Sequence, residues 1–285
     1  MKIGINLLLW TGHVTQEHHG ILKALKATGF DGVEVPVFDV SDVGHYRDLA
    51  KVLDEIGLER TVVAIIPDEA HSPISADAAA RQGAVDHLKR VIDCSAALGG
   101  EIVAGPWFQP LGVFTGEKPS EAELDRCAEV HRQVLPVMRA AGITPGLEPL
   151  NRFEAHLLNT CDQAIAYAER VGEGGIGILY DTFHANIEEK DPLAALHALH
   201  ASGQLSHVHI SENDRGTPGR GHAPIRETIH ALKALGYDGW LTIEAFGRGV
   251  PDLAAATRVW RDFFASEEEV YTEGFDLIRR AWQEV

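Results

Sequence analysis

The chain has 285 residues, of which 45% are apolar and 24% are charged, a composition typical of globular proteins and unlike that of disordered or fibrous chains. Its formal net charge of −17 argues against a nucleic-acid partner bound through a basic surface. No segment has 18 consecutive apolar residues, and the start MKIGINLLLW is typical of a strand, so we expect neither a membrane-spanning helix nor a membrane partner.

Three cysteines are too few, and odd in number, for a disulfide framework. Cys94, Cys127 and Cys161 each lie in a predicted helix, where a buried structural thiol is the default. This cysteine content favours a reducing, cytoplasmic location.

Short β-rich segments alternate with segments of helical periodicity along the chain. The predicted strands are residues 2–8, 32–37, 60–66, 101–104, 144–148, 176–180, 205–209 and 241–244. The predicted helices are residues 16–28, 78–98, 121–141, 162–171, 192–201 and 225–235. Glycines are expected to end helices at Gly29, Gly57, Gly142, Gly172 and Gly236.

Eight strand–helix units in 285 residues indicate an α/β fold, a single (β/α)8 TIM barrel over residues 1–285. A doubly wound sheet is the alternative, but no glycine-rich phosphate-binding motif follows the first strand. Residues 266–285 are acidic and then amphipathic. We expect them to form a C-terminal helical extension, on the outside of the barrel or against a partner subunit.

Four consecutive predicted strands end on side chains that can bind metal. These are Glu148, Asp181, His209 and Glu244. Parallel strands of a barrel deliver their carboxyl ends to one rim, so three carboxylates would converge there and repel one another without a cation. One nitrogen and three carboxylates favour Mn²⁺, Mg²⁺ or Co²⁺ over structural Zn²⁺. The alternative is that these strand ends merely face solvent.

His207 shares a strand face with His209 but lies one layer deeper, which makes it the poorer ligand candidate. Strands five and eight are three steps apart on a ring of eight. Glu148 and Glu244 are therefore expected to approach a central ligand from nearly opposite sides. Two such carboxylates can remove a proton from one face of a carbon and return one to the other, while a cation stabilises the enediolate between the two steps. The pattern predicts inversion beside a ketone.

Four stretches resemble the ketose 3-epimerases, the enzymes that act on D-tagatose, D-allulose (psicose) and L-ribulose. They are EPLNRFEAHLLNT (148–160), DTFHANIEE (181–189), HISENDRGTPGRGH (209–222) and IEAF (243–246). That family consists of xylose-isomerase-like TIM barrels, and the resemblance extends over essentially the whole chain. It implies that Glu148, Asp181, His209 and Glu244 bind the metal, and that Glu148 and Glu244 are the catalytic residues. It also implies Mn²⁺ or Co²⁺, a small ketose substrate, and a homodimer or homotetramer.

The resemblance further implies substrate contacts. Glu154, His184 and Arg215 fall where the family contacts the hydroxyls and carbonyl near C1–C3 of the sugar. Gly105, Trp107 and Phe246 match or neighbour the family's pocket wall. Asn6 stands where many members carry an aromatic residue in the wall facing the far end of the sugar, which leaves the preferred ketose open.

The residues alone also permit simpler interpretations. Glu154 could cap its own loop, His184 could support a ligand, and Arg215 could pair with Asp214 or Glu212 at the surface. At the level of function, an aldose–ketose isomerase of the hydroxypyruvate isomerase type is the main alternative on this scaffold. A DNA-repair endonuclease would need more histidines and a basic groove, and a sugar-binding protein would not need two opposed carboxylates.

Overall fold

The computed structural model describes residues 1–172 and 175–285, and its eight strands close into a barrel in sequence order. The strands are β1 (Lys2–Asn6), β2 (Gly32–Pro36), β3 (Glu59–Val63), β4 (Ile102–Gly105), β5 (Thr144–Leu147), β6 (Ile178–Asp181), β7 (Leu205–Ile210) and β8 (Trp240–Ile243). Every neighbouring pair is parallel, including β1 with β8. The predicted (β/α)8 barrel is confirmed.

Within the described residues there are ten α-helices, eight between consecutive strands and two after β8. They are α1 (His19–Thr28), α2 (Val43–Ile56), α3 (Ala78–Leu98), α4 (Glu121–Ala140), α5 (Cys161–Val171), α6 (Thr182–Glu188), α7 (Pro192–Ala201), α8 (Ile225–Ala234), α9 (Pro251–Ala256) and α10 (Glu267–Gln283). Helix α2 was predicted only through the helix end expected at Gly57, and no sequence pattern predicted α6 or α9. Gly29 and Gly57 end α1 and α2 in the left-handed conformation, as expected of helix-ending glycines. No described helix has the length and apolar character that a bilayer crossing demands.

The barrel interior is layered. At the amino ends of the strands, an apolar cluster of Ile102, Ala104, Leu179 and Trp240 fills the barrel. The Trp240 indole passes so close to β2 that a Cβ on Gly32 would lie 2.6 Å from its ring, and 2.3 Å from a main-chain oxygen. Apolar packing at this end leaves the polar side chains of the strands to gather at the carboxyl ends.

Helix α10 lies against α1 and α8 on the outside of the barrel. Its Phe275 ring packs on Phe30, with ring centroids 5.0 Å apart. A Cβ on its Gly274 would lie 2.8 Å from Ile243 of β8, so the helix sits close to the sheet. The sequence predicts a C-terminal helical extension at residues 266–285. In the structure these residues contain the outer helix of the eighth barrel unit.

Candidate metal centre and active site

Four polar side chains meet at the carboxyl rim of the barrel. Glu148 and Glu244 directly follow β5 and β8, while Asp181 ends β6 and His209 lies in β7. Each is at most 4% exposed, and their candidate ligand atoms all lie within 4.8 Å of one another. The structure therefore brings together the four side chains that the strand ends predicted.

Three of the four atoms that face each other in this cluster lack a hydrogen-bond partner. Nδ1 of His209 lies 3.4 Å from Oε1 of Glu244, 3.5 Å from Oδ2 of Asp181 and 3.8 Å from Oε1 of Glu148. Within the described part of the chain, Nδ1, Oδ2 of Asp181 and Oε1 of Glu148 are buried without a hydrogen-bond partner. Such atoms are costly unless something binds them. One imidazole and three carboxylates fit a divalent cation.

The charges in the cluster are strongly coupled. Burial raises the pKa of Glu148, and the neighbouring Glu244 carboxylate raises it further. Burial acts in the same direction on Glu244, but His209 and Arg215 outweigh it and lower the pKa of that carboxyl. Burial would lower the pKa of His209, yet Glu34 and Glu244 hold it well above its usual value. A cation in the cluster would compete with the proton on Nδ1.

Glu34 of β2 lies beneath the cluster and was missed by the sequence analysis. It is fully buried, and it accepts hydrogen bonds from Nε2 of His209 at 2.7 Å and from Nε2 of His207 at 2.9 Å. Burial would raise the pKa of Glu34, but His209 and His207 outweigh it and keep the carboxyl ionised. The signal in the sequence was a glutamate at the centre of the otherwise apolar strand GVEVP. His207 pairs with Leu179 of the apolar cluster while His209 pairs with Asp181, so His207 lies deeper, as predicted.

Asn6 does not form the wall that the resemblance implied. It is fully buried at the end of β1, and its Nδ2 donates to Oε1 of Glu34 at 3.0 Å and to Oε1 of Glu244 at 3.1 Å. Leu8, two residues further on, reaches the cavity instead. An aromatic ring at position 6 could not make these hydrogen bonds. Asn6 therefore supports the cluster of candidate metal ligands.

A cavity of ≈ 540 Å³ opens beside the cluster. Glu148, Glu154, His184, Arg215 and Glu244 line one end of it. The rest of the wall is largely apolar and includes Leu8, Phe38, Val63, Ile65, Phe246 and Leu253. A few convergent polar groups in an apolar pocket are typical of a small-molecule site.

Arg215 lies in the cavity and not at the surface. Its Nη1 donates to Oε2 of Glu244 at 2.6 Å, and its guanidinium carbon lies 3.7 Å from the ring centre of Phe183 and 4.8 Å from that of Phe246. The main chain holds φ at 67°, a left-handed conformation that is costly for arginine. The surface pair with Asp214 or Glu212, considered from the sequence, is therefore wrong.

His184 and Glu154 complete the polar end of the cavity. Nδ1 of His184 accepts a hydrogen bond from the main-chain N–H of Asn151 at 2.8 Å, and its Nε2 lies 3.6 Å from Oε1 of Glu148. Burial, with Arg215 nearby, lowers the pKa of His184 to about 3, so the ring stays neutral. Glu154 accepts from Nδ2 of Asn151 at 2.8 Å and lies 3.5 Å from Nη2 of Arg215.

Two residues predicted for the pocket wall do not line the cavity. Trp107 is fully buried and packs edge-on against His131, with ring centroids 4.7 Å apart. Gly105 has φ of 112°, and a Cβ there would lie 2.3 Å from the carbonyl oxygen of Ala64. Both flank Pro106, which does line the cavity. Phe246 lines the cavity as expected.

A family model described as "Xylose isomerase-like TIM barrel" matches residues 22–281. The chain belongs to the xylose isomerase-like TIM barrel family. This confirms the family membership that the motifs at 148–160, 181–189, 209–222 and 243–246 implied.

Individual members of the family match almost end to end. An L-ribulose 3-epimerase of Mesorhizobium japonicum is 34% identical over 93% of this chain and 88% of its own length. A probable ketose 3-epimerase of Synechocystis sp. is 30% identical over 99% and 97%. A solved L-ribulose 3-epimerase superimposes with a TM-score of 0.91 at 32% identity, over 99% of this chain and 95% of that one. The chain is accordingly an enzyme of the carbohydrate epimerase class.

Proposed function

We propose that the protein is a metal-dependent ketose 3-epimerase, which interconverts the C3 epimers of free ketoses of the tagatose/sorbose, fructose/allulose or ribulose/xylulose type. The observation that carries the proposal is the cluster at the rim, where Glu148 and Glu244 stand on strands three positions apart around the barrel. Carboxylates on two sides of one site suit removal of a proton from one face of a carbon and its return to the other.

Glu148, Asp181, His209 and Glu244 are the residues that would hold the cation. When bound, a divalent cation would supply positive charge beside the substrate oxygens and so lower the energy of an enediolate. Glu148 and Glu244 exchange the C3 proton with the sugar. Because both carboxyl groups lie in the wall of the cavity and are at most 4% exposed, proton transfer takes place between groups whose positions are fixed.

Arg215, His184 and Glu154 orient the reacting end of the sugar in this proposal. Arg215 presents a guanidinium donor beside Glu244, neutral His184 faces Glu148, and the carboxylate of Glu154 can accept from a hydroxyl. The apolar wall would contact the remaining carbons. In this proposal C3 lies between the two glutamates, and the three polar side chains at the same end of the cavity support that position.

Three further properties belong to the proposal. The oxygen-rich ligand set supports Mn²⁺, with Co²⁺ or Mg²⁺ as alternatives. We also propose a homodimer or homotetramer, with the exposed rings of Phe114, Phe153 and Trp260 as candidate contacts, which analytical ultracentrifugation would test. The three cysteines are free and buried, which supports a reducing cytoplasm as the location.

The proposal is tested by measuring where hydrogen from the solvent enters the sugar. The Mn²⁺-loaded protein is incubated briefly in D₂O with fructose, tagatose or ribulose, and the sugars are analysed by NMR. Epimerisation through two carboxylates places deuterium at C3 of the product, because the returning proton comes from a group equilibrated with solvent.

Each alternative function predicts a different pattern of deuterium in the sugar. An aldose–ketose isomerase places deuterium at C1 or C2, and hydroxypyruvate serves as an additional substrate for that arm. A retro-aldol or hydride route leaves C3 unlabelled. A sugar-binding protein produces neither epimer nor exchange. Epimerised product without deuterium at C3 would therefore overturn the proposed two-base mechanism.

A further inference from the structure

Glu34 has no part in the chemistry proposed above, yet its carboxylate lies at the centre of a saturated hydrogen-bond network. Oε1 accepts from Nε2 of His209 at 2.7 Å and from Nδ2 of Asn6 at 3.0 Å. Oε2 accepts from Nε2 of His207 at 2.9 Å and from the hydroxyl of Thr61 at 3.0 Å. All five side chains are at most 1% exposed. With both oxygens occupied twice, the carboxylate has one orientation.

The bond from His209 decides which ring nitrogen carries hydrogen. An ionised carboxylate only accepts hydrogen bonds, so Nε2, which faces Glu34, is the donor. In the neutral ring Nδ1 then keeps its lone pair, and it is Nδ1 that points at the carboxylates of Glu244 and Asp181. A neutral imidazole binds metal only through the nitrogen without hydrogen. The bond to Glu34 thus selects the ring form that can serve as a ligand.

The same network reaches a second residue of the cluster. Nδ2 of Asn6 lies 3.0 Å from Oε1 of Glu34 and 3.1 Å from Oε1 of Glu244, so one amide group connects the two carboxylates. The amide therefore holds Glu244 at a fixed distance from Glu34, although the two carboxylates would otherwise repel each other.

Glu34, His207 and His209 could also be considered as a metal site of their own, since their ligand atoms lie close together. Their separations of 2.7 and 2.9 Å are those of hydrogen bonds, and both oxygens of Glu34 already have two donors each. The group therefore supports the cluster above it.

We propose that Glu34 is a positioning residue, which fixes the tautomer and orientation of His209 and, through Asn6, the carboxylate of Glu244. The inference rests on the proposed function, because it concerns the cation that this function requires.

The experiment measures metal affinity directly. Mn²⁺ is titrated into metal-free wild-type protein, Glu34→Gln and Thr61→Val, and free Mn²⁺ is read from its EPR signal. In Glu34→Gln one oxygen becomes an NH₂ group, which cannot accept from a histidine N–H. We expect Mn²⁺ to bind about 10- to 100-fold more weakly. Thr61→Val removes one of the four hydrogen bonds to Glu34 and leaves the bond to Nε2 of His209 in place, so its loss of Mn²⁺ affinity should be smaller than that of Glu34→Gln.

A purely structural role would lower the melting temperature of Glu34→Gln and leave the Mn²⁺ affinity of the folded protein unchanged. That result overturns the inference while the proposed function stands, provided that wild type binds Mn²⁺ and forms C3-labelled epimer. If wild type binds no Mn²⁺, the result contradicts both the inference about Glu34 and the proposed function.

A second measurement applies even if Glu34→Gln does not fold. Long-range ¹H–¹⁵N NMR of the Mg²⁺-loaded wild-type protein reports which nitrogen of His209 carries hydrogen, with His207→Gln used for assignment. We expect hydrogen on Nε2. Hydrogen on Nδ1 would overturn the inference, since Glu34 would then not select the ligand form of the ring.

Discussion

Nδ1 of His209 faces Oε1 of Glu148 across 3.8 Å, and neither atom has a hydrogen-bond partner elsewhere in the described ranges. Two buried polar atoms that face each other unpaired would destabilise the fold unless a third group lies between them. These two unpaired atoms support a metal site between His209 and Glu148. They also predict that a bound metal ion stabilises the folded protein.

Removal of metal should lower the melting temperature, and Mn²⁺ should restore it. A ligand that binds only the folded state stabilises by about 2.7 kcal/mol at a concentration of 100 Kd. The measurement is thermal unfolding after chelation and dialysis, with and without added Mn²⁺. Asp181→Ala is the control and should lose most of the Mn²⁺-dependent shift. An unchanged melting temperature after verified removal of metal from wild type counts against the site.

Glu148→Gln and Glu244→Gln should each reduce kcat by at least about 10²-fold, the lower end for loss of general acid–base catalysis. The amide keeps one oxygen for the cation but cannot exchange the proton. Steady-state kinetics on a ketose with saturating Mn²⁺ measures the effect. Glu169→Gln, on the exposed surface of α5, is the matched control and should retain wild-type turnover. Near-normal kcat in either site variant, with metal bound, would show that the two-base assignment is wrong.

The free energy of unfolding should fall as the pH drops from about 6.5 to 4 because of His131. This side chain is fully buried in α4, where Nδ1 accepts from the Tyr167 hydroxyl at 2.7 Å and Nε2 donates to the carbonyl of Trp107 at 3.2 Å. Burial lowers the pKa of His131 to about 4, below the ordinary value of 6.5. In this range the unfolded chain binds the proton and the folded chain does not, so stability is complete above the range and declines within it.

Urea unfolding at pH 7.5 and pH 5.0 measures this contribution of His131 to the free energy of unfolding. The stability loss of wild type between the two values should exceed that of His131→Gln by about 2 kcal/mol. His197→Gln, at an exposed position of α7, controls for the loss of a histidine without burial. Equal pH dependence in wild type and His131→Gln would contradict the assignment.

Gly105→Ala should destabilise the protein by at least about 3 kcal/mol, because a strained φ and a steric clash coincide. The added Cβ would lie 2.3 Å from the main-chain oxygen of Ala64, which cannot move without disturbing β3 and β4. Gly142→Ala is the matched control, since φ there is 72° with no atom within 4 Å. That variant should lose only about 1 kcal/mol. Similar urea midpoints for the two variants would show that the clash is relieved at little cost.

The sequence determined the barrel and the four candidate ligands. Strand side chains alternate with a period of two, and parallel strands in a barrel end at one rim, so local patterns were enough to bring Glu148, Asp181, His209 and Glu244 together. Motif resemblance added Glu154, His184 and Arg215, which the structure places at one end of the cavity. Each of these inferences used information that lies within a few residues along the chain.

The surroundings of the candidate ligands depend on contacts between segments that are far apart in the sequence. Glu34 and His209 are 175 positions apart, and their hydrogen bond depends on how β2 and β7 face each other across the barrel. The same holds for Asn6, which reaches Glu34 and Glu244 from β1, and for Trp107, which turns towards His131 and away from the cavity. Contacts across a closed barrel depend on the stagger of all eight strands and on competition for the interior volume, which no single segment of sequence encodes.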